Sequence, residues 1–447
     1  MHLSTYCKIL PVDGQAGSFY IFSTKNTAIA EVSEGLLRRI QSGRTLPAKD
    51  ERLLRRLGIL IADPGREKKR MLRLPEELNR ASRLLSIKLV MNLDCNLACR
   101  YCFEGNRKGR FYMSQEIADE FVNFVRARIT SQRLSIETRR QKGGGFIDEV
   151  FITFYGGEPL LSRKLIVHTA RKLKTLAGRL GKAFSFALQT NGTLLTKEVV
   201  QELRPLGLAE AYVTVDGPRE NHDAFRPYKS GRGSFDVIMR NVQDVCGLVD
   251  LKLGGNFTKD NYRSFPGFLD YLIESGLTPD KVPSVGCFTV VSEGADVLPD
   301  YRGGCSSVNE SWLFSSGPFL REEILRRGYH GERLTPVVCM MEHWNNFLVN
   351  YNGDIYKCPC LIGRKEFCVG NIKTGVNDFR TSHNLDNWKN EQCLNCSYLP
   401  LCLGGCRYMK FVRDGNMDGV DCKKPYFDAT LEAFVKQDIR YDLIKEK

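Results

Sequence analysis

Three cysteines, Cys95, Cys99 and Cys102, carry the most specific chemical signal in the chain. They sit in the run MNLDCNLACRYCFEG, a C-x3-C-x2-C triplet directly after the apolar stretch LLSIKLVMNL. Electron-transfer cubanes commonly take four cysteine ligands, one per iron. A set of three therefore leaves one iron of a [4Fe–4S] cluster open to chelate a substrate. The competing reading is a zinc site, or chance spacing in a chain with 16 cysteines, because thiolates also hold structural zinc.

A second constellation fills the C-terminal third. Thirteen residues separate Cys339 from Gly353, and four more separate Gly353 from Cys358. The run QCLNCSYLPLCLGGC then presents Cys393, Cys396, Cys402 and Cys406 with gaps of two, five and three, and Cys422 closes the set. A single C-x2-C knuckle also occurs in zinc ribbons. Cys287, Cys305, Cys360 and Cys368 lie outside this spacing, and Cys7 and Cys246 read as buried small hydrophobes.

Composition bounds the setting for this chemistry. A chain of 447 residues is long enough for two or three domains with a substantial core. A hydrophobic fraction of 42% with 26% charged residues is ordinary for globular proteins. No stretch approaches the roughly 18 apolar residues of a membrane span, and MHLSTYCKIL lacks the layout of a signal peptide. The expected location is the cytoplasm, where clustered cysteines point to metal rather than disulfides. The formal charge of +13 is compatible with an acidic partner but also with a solvated basic surface such as 127–145, so it selects neither.

The elements that must position the triplet alternate between strand and helix. Apolar, β-branched runs read as buried parallel strands at 84–92, 149–155, 184–190, 211–216, 251–257 and 284–291. Between the first two, Ile117, Phe121, Phe124, Val125 and Ile129 recur at helical spacing behind Ser114 as N-cap, and Ser162 is expected to cap the next helix. Six such units predict an α/β fold, a partial (β/α)6 barrel of TIM type with right-handed crossovers. In β/α barrels the chemistry sits at the C-terminal ends of the strands. The triplet follows the first strand there, and Tyr155-Gly156-Gly157-Glu158-Pro159 follows the second. Gln189-Thr190-Asn191-Gly192, Asp216-Gly217-Pro218 and Gly254-Gly255-Asn256 follow the next three. Each turn taken singly is also an ordinary strand exit; five at one rim are harder to dismiss.

The triplet with Tyr101 before its third cysteine, the GGEP turn, and the runs YGGEPLL, TNGTLL and VTVDGPRENHDAFRP together resemble the radical SAM superfamily. Within it they are most similar to the geopeptide-type peptide maturases. The seven cysteines from Cys339 to Cys422 resemble the SPASM pattern of that group. The resemblance covers residues 84–430 and implies three [4Fe–4S] clusters. Cys95, Cys99 and Cys102 would hold the one that binds S-adenosylmethionine (SAM). Cys393, Cys396, Cys402 and Cys422 would hold an outer auxiliary cluster. Cys339, Cys358 and Cys406 would hold an inner one, with Cys305 the first candidate for its fourth ligand. With three such clusters bound, the formal charge would fall to about +8. The resemblance further implies SAM contacts from Tyr101, Gly156, Gly157, Glu158, Pro159, Thr190, Asn191, Asp216 and Asn256. The Glu158 carboxylate and a turn carbonyl would accept hydrogen bonds from the SAM ammonium, with the paired glycines permitting close approach.

The implied activity is hydrogen abstraction from a ribosomally made precursor peptide by a 5′-deoxyadenosyl radical, giving a cross-link, thioether or epimer. A low-potential flavodoxin or ferredoxin would supply electrons; no membrane or nucleic acid partner is expected. Oxidation of a Cys or Ser in a sulfatase shares the layout and is the alternative substrate reading. A zinc-dependent nucleic-acid-binding protein is the remote one, lacking any aromatic stacking platform or recognition helix. The expected domains are a small α+β module over 1–75, able to dock a leader peptide at a strand edge or simply cap the barrel; the core barrel over 80–300; a bridge over 301–338; and the cysteine-rich region over 339–430. The charged stretch 62–70 reads as a linker and 292–336 as a Gly/Ser-rich insertion.

Overall fold

The computed structural model describes residues 1–130, 147–292, 301, 303–336 and 338–443. Six strands cross its central sheet in sequence order: β1 (Leu84–Asn92), β2 (Glu149–Gly156), β3 (Ala183–Thr190), β4 (Leu208–Thr214), β5 (Asp250–Phe257) and β6 (Ser284–Thr289). Every neighbouring pair is parallel, with helices in most of the connections. This is the partial barrel, and its strands fall close to the runs expected from periodicity.

The strands are less uniformly apolar than their sequences suggested. Leu85, Ile87, Leu89 and Met91 of β1 pack outward with Phe121, Phe124, Val125 and Ile129 of the helix Gln115–Thr130. The opposite face, two residues apart along each strand, lines an inner cavity with Lys88, Thr153, Gln189, Tyr212 and Lys252. A barrel that is to hold a polar ligand cannot fill its centre with aliphatic side chains.

The sheet also continues past β1. Strand β7 (Asn346–Val349) pairs with β1 in parallel. The antiparallel strands Asp354–Tyr356, Gly370–Asn371 and Gly375–Val376 extend the sheet to ten strands among the described residues. The first part of the cysteine-rich region is thus hydrogen-bonded to the barrel itself.

At the N-terminus, Cys7–Pro11, Ser18–Ser23 and Ile29–Ser33 form an antiparallel sheet followed by two helices, Glu34–Gln41 and Ala48–Arg56. Leu10 and Phe22 of this sheet pack with Tyr398, Leu401, Phe427 and Leu431. The Tyr6 hydroxyl donates to the Leu394 carbonyl at 3.0 Å.

Three local expectations are corrected. The stretch 62–70 is not an open linker, because Asp63 accepts from the amides of Gly65 and Arg66 and Pro64 opens a helix to Ala81. Within 292–336, residues Ser311–Arg326 form a helix packed on Lys424–Arg440. Its Pro318 carbonyl, which lies within the helix, accepts from Gln437. Ser114 does cap its helix, but the Ser162 hydroxyl instead accepts from Asn92 Nδ2 at 2.9 Å. The basic stretch 127–145 lies, from residue 131 onward, outside the described residues.

Candidate active site

The three cysteines stand on the loop that leaves β1, and two neighbouring segments hold that loop. On one side, Ala98 and Arg100 amides donate to the carbonyls of Pro227 and Phe225, and the Lys229 amide donates to Asn96. Asp94 anchors its start, accepting from Tyr112 at 2.7 Å and Lys229 at 2.9 Å. On the other side lies the GGEP turn. A Cβ on Gly156 would meet the Asn92 carbonyl oxygen at 2.2 Å, and one on Gly157 the Asp94 oxygen at 2.2 Å. Gly156 also has φ +143°. The paired glycines therefore admit the backbone of the cysteine loop, with Gly157 and Glu158 amides bonding to Asn92 and Asp94. Ligand approach, the role expected of them from sequence, is not what makes glycine obligatory there.

Glu158 is likewise placed otherwise than expected. It is fully buried, behind the cavity wall. Its carboxylate accepts from the Leu160 amide at 3.0 Å, the Thr190 hydroxyl at 2.8 Å and the Asn191 amide at 2.8 Å. Its own carbonyl accepts from Asn92. Burial pushes its pKa up, against these donors. The residue thus locks the β3 turn to the β2 turn. Asn191, held this way, directs Nδ2 to Cys95 Sγ at 3.6 Å, and the Leu97 amide donates to the same sulfur at 3.4 Å. Hydrogen bonds to a cluster sulfur tune its potential. Because its oxygens hold the Thr190–Asn191 turn rather than facing the cavity, Glu158→Ala should weaken SAM binding only indirectly, by less than the roughly 1.5–3 kcal/mol of the charged hydrogen bonds it removes, with iron content unchanged. Calorimetric titration with SAM measures it, and equal affinity would show that the turn keeps its shape without the carboxylate.

A cavity of about 760 Å³ opens over this loop. Of the residues expected to contact SAM, Tyr101, Gly156, Gly157, Thr190, Asn191 and Asn256 line it together with Cys95, Cys99 and Cys102. Glu158, Pro159 and Asp216 stand behind it. Asp216 accepts from the Tyr101 hydroxyl and the Asn256 amide. Tyr101 in turn accepts from Arg226 at 2.9 Å and Asn256 at 3.1 Å.

Sequence reasoning assigned no role to Arg226, Glu104 or Lys108, although the first two lie in quoted motifs. All three line the cavity. Glu104 is 3% exposed, and among the described residues neither of its oxygens nor Arg226 Nε has a hydrogen-bond partner. Burial drives the Glu104 carboxyl up to about 7. Burial raises the pKa of all three thiols, that of Cys102 to about 11. Burial works against the charge on Lys108, but the thiolates and Glu104 outweigh it. This donor set fits a thiolate-ligated cluster with SAM on it: three sulfurs, a cation beside them, and unmet acidic and basic groups suited to an ammonium and a carboxylate. Because ligating sulfurs must lose their protons, assembly of the site is expected to favour higher pH.

His222, fully buried, braces the β4 rim. The Asp216 amide donates to its Nδ1 at 3.1 Å, so Nε2 carries the proton shared with Ser234 at 3.0 Å. Burial, and then Arg226, lower its pKa to about 3. An unfolded imidazole titrates near 6.5. Between those values the unfolded chain binds a proton that the folded chain refuses. The stability is therefore full above about pH 6.5 and falls on acidification by about 1.4 kcal/mol per pH unit. Thermal unfolding of the cluster-free chain across that window measures it, and His222→Gln should remove that component of the slope.

The C-terminal cysteines separate into two groups. Cys339, Cys358 and Cys406 lie within electrostatic reach of one another. Cys393 faces Cys396, Cys402 and Cys422 in the same way. The chain reverses between Cys402 and Cys406 through Leu403, Gly404 and Gly405, all left-handed. A Cβ on Gly405 would meet the Asp421 oxygen at 1.9 Å. That reversal sends two cysteines four residues apart into different groups. The buried pair Arg407 with Glu342 ties the segments together. Among the described residues no three such side chains converge on a single ion. A cubane, whose ligands each hold a different iron, asks for a wider set than the tetrahedral zinc site with its roughly 2.3 Å bonds.

Residues 89–253 match the model of the radical SAM superfamily. The serine-type anaerobic sulfatase-maturating enzyme of Bacteroides thetaiotaomicron is 26% identical over 358 residues, 71% of this chain and 81% of that protein. The structure of native anSMEcpe with bound AdoMet and Kp18Cys peptide matches with a TM-score of 0.61 at 20% identity, covering 81% of this chain and 100% of that one. Streptococcus suis SuiB bound to precursor peptide SuiA matches with a TM-score of 0.52 at 15% identity, covering 94% and 98%. At such identities the structural likeness establishes the fold.

Proposed function

We propose that this radical SAM enzyme, whose superfamily domain spans residues 89–253, modifies a ribosomally made precursor peptide. The observation that carries the peptide reading is the outer edge of β6. Isolated bridges flank it, at Ser284 with His330 and, two residues past its end, at Val291 with Cys305. Among the described residues no strand pairs with it between them. The cavity over the cysteine loop runs along this edge, past Gly286, Thr289 and Phe288, which is 49% exposed. An extended peptide can satisfy such an edge with main-chain hydrogen bonds while the lumen reads its side chains.

Cys95, Cys99 and Cys102 would hold the cluster that binds SAM, and the chemistry such a cluster would supply is one-electron cleavage of SAM to methionine and a 5′-deoxyadenosyl radical. The chain's own groups do the positioning. Asn191 and Leu97 orient Cys95, and Glu104 and Arg226 would receive the charged ends of the methionyl group. In this reading Cys339, Cys358 and Cys406 hold an inner auxiliary cluster and Cys393, Cys396, Cys402 and Cys422 an outer one. A low-potential flavodoxin or ferredoxin supplies the electron. The N-terminal sheet, resting on the cysteine-rich region, offers its strand edge to a leader segment.

A second reading is Cys or Ser oxidation on a sulfatase, favoured by the similarity to the Bacteroides enzyme. Anaerobic co-expression with a small peptide encoded beside this chain, followed by mass spectrometry, separates the two. A mass change in that peptide supports maturation. An unchanged peptide beside an oxidised sulfatase-type Cys or Ser peptide would establish the second reading.

A further inference from the structure

The seven-cysteine pattern leaves the inner group one ligand short, and the structure offers a different thiol from the one sequence order favoured. Cys339, Cys358, Cys360, Cys368 and Cys406 all pack against one hydrophobic cluster that includes Val90, Tyr155 and Tyr356. Cys305 packs in another, with Phe257 and Leu313, and its thiol faces Thr289 and Glu310. Cys287, on β6, also borders that second cluster, as does Cys406, which touches both, so cluster membership alone does not set Cys305 aside. The Cys368 thiol is already committed, donating to the Gly370 carbonyl at 3.2 Å.

Cys360 has no such commitment. Cys358 is extended (φ −148°, ψ 136°), and Pro359 then starts a tight turn in which the Leu361 amide donates to the Cys358 carbonyl at 3.1 Å. The turn keeps the Cys360 thiol beside that of Cys358, both packed against the same hydrophobic cluster. Of the four, Cys360 lines the cavity over the cysteine loop. A cation completes the arrangement. Lys88 donates to Gln189 at 3.1 Å and lies over the Tyr155 ring at 5.7 Å, in the same cavity wall that Cys360 lines, where burial pushes its pKa down. No carboxylate pairs with it among the described residues. A buried ammonium in that wall complements the negative charge of an iron–thiolate site.

We infer that Cys360 supplies the fourth thiolate of the inner auxiliary cluster, placing one fully ligated corner of that cluster in the wall of the SAM cavity. This rests on the auxiliary-cluster reading above. With four thiolates, that cluster has no iron left open to a substrate thiolate.

The test removes the SAM-binding cluster by alanine at Cys95, Cys99 and Cys102, so that only auxiliary clusters remain. A cubane with an unligated corner responds to one-electron oxidation by ferricyanide: [4Fe–4S]²⁺ gives [3Fe–4S]⁺, Fe²⁺ and the electron taken by the oxidant. With Cys360 present, no three-iron paramagnetic signal is expected. With Cys360→Ala added, either that signal rises toward about one spin per chain or iron falls from about eight to about four per chain, as the inner cluster is lost. Cys305→Ala in the same background should behave like its parent. An unchanged Cys360→Ala spectrum and iron count, or a three-iron signal from Cys305→Ala, overturns the assignment. A parent triple variant that holds no iron would instead remove the auxiliary-cluster reading itself.

Discussion

With Cys95, Cys99 and Cys102 replaced together by alanine, the reduced protein should form no 5′-deoxyadenosine from SAM above the enzyme-free level. It should retain about eight of about twelve irons, four for each of two auxiliary clusters. The reason is local. These three sulfurs share the cavity with Thr190, Asn191 and Asn256, whereas the C-terminal groups are built from other cysteines on other segments. Removing the triplet takes away the iron to which SAM would chelate and leaves the Glu342–Arg407 tie and the Gly404–Gly405 reversal intact. Chromatography of the reaction and iron analysis of the same sample make the measurement. Undiminished 5′-deoxyadenosine would sink the assignment of the triplet.

The converse substitution should divide the activity differently. Alanine at Cys339, Cys358 and Cys406 should leave uncoupled SAM cleavage in place and abolish peptide modification, with iron falling from about twelve to about eight per chain. If Cys360 completes the inner group, that group forms part of the cavity wall that Cys360, Lys88 and Tyr155 line, so its loss is expected to affect peptide modification before SAM cleavage. Mass spectrometry of the peptide and quantification of 5′-deoxyadenosine separate the two outcomes. Wild-type modification by this variant would remove the inner cluster from the mechanism. About four irons in the wild-type chain would remove both auxiliary clusters.

Much of the architecture was legible because it is written at short range. The period-two and period-3.6 patterns placed six strands and the helix Gln115–Thr130, since each buries a face that its own residues define. The candidate SAM rim was legible in part. Tyr101, Gly156, Gly157, Thr190, Asn191 and Asn256 line the cavity, because a strand's end determines where the next few residues emerge. Which of them turn inward was not legible. Glu158 and Asp216 carry the chemistry of ligand-binding carboxylates, yet their oxygens are taken up by amides and hydroxyls from other strands. Glu104 and Arg226 stood in recognised motifs, and only their unmet hydrogen-bonding groups, visible once the chain is folded, distinguish them.

By itself the sequence pointed to iron–sulfur chemistry through Cys95, Cys99 and Cys102, three thiols spaced closely enough along one loop to converge on one site. It determined the barrel for the same reason: local amphipathicity specifies each β/α unit, and right-handed crossovers leave few ways to join them. The tertiary structure alone decided what depends on distant segments meeting. It set β7 onto β1, joining the cysteine-rich region to the barrel. It sent Cys402 and Cys406 apart through a left-handed reversal that Asp421 enforces. It brought Cys360, by way of the turn at Pro359, to Cys358 and to the cavity wall beside Lys88. Such contacts follow from packing and backbone hydrogen bonds between residues far apart in the chain, and no spacing rule read along the sequence encodes them.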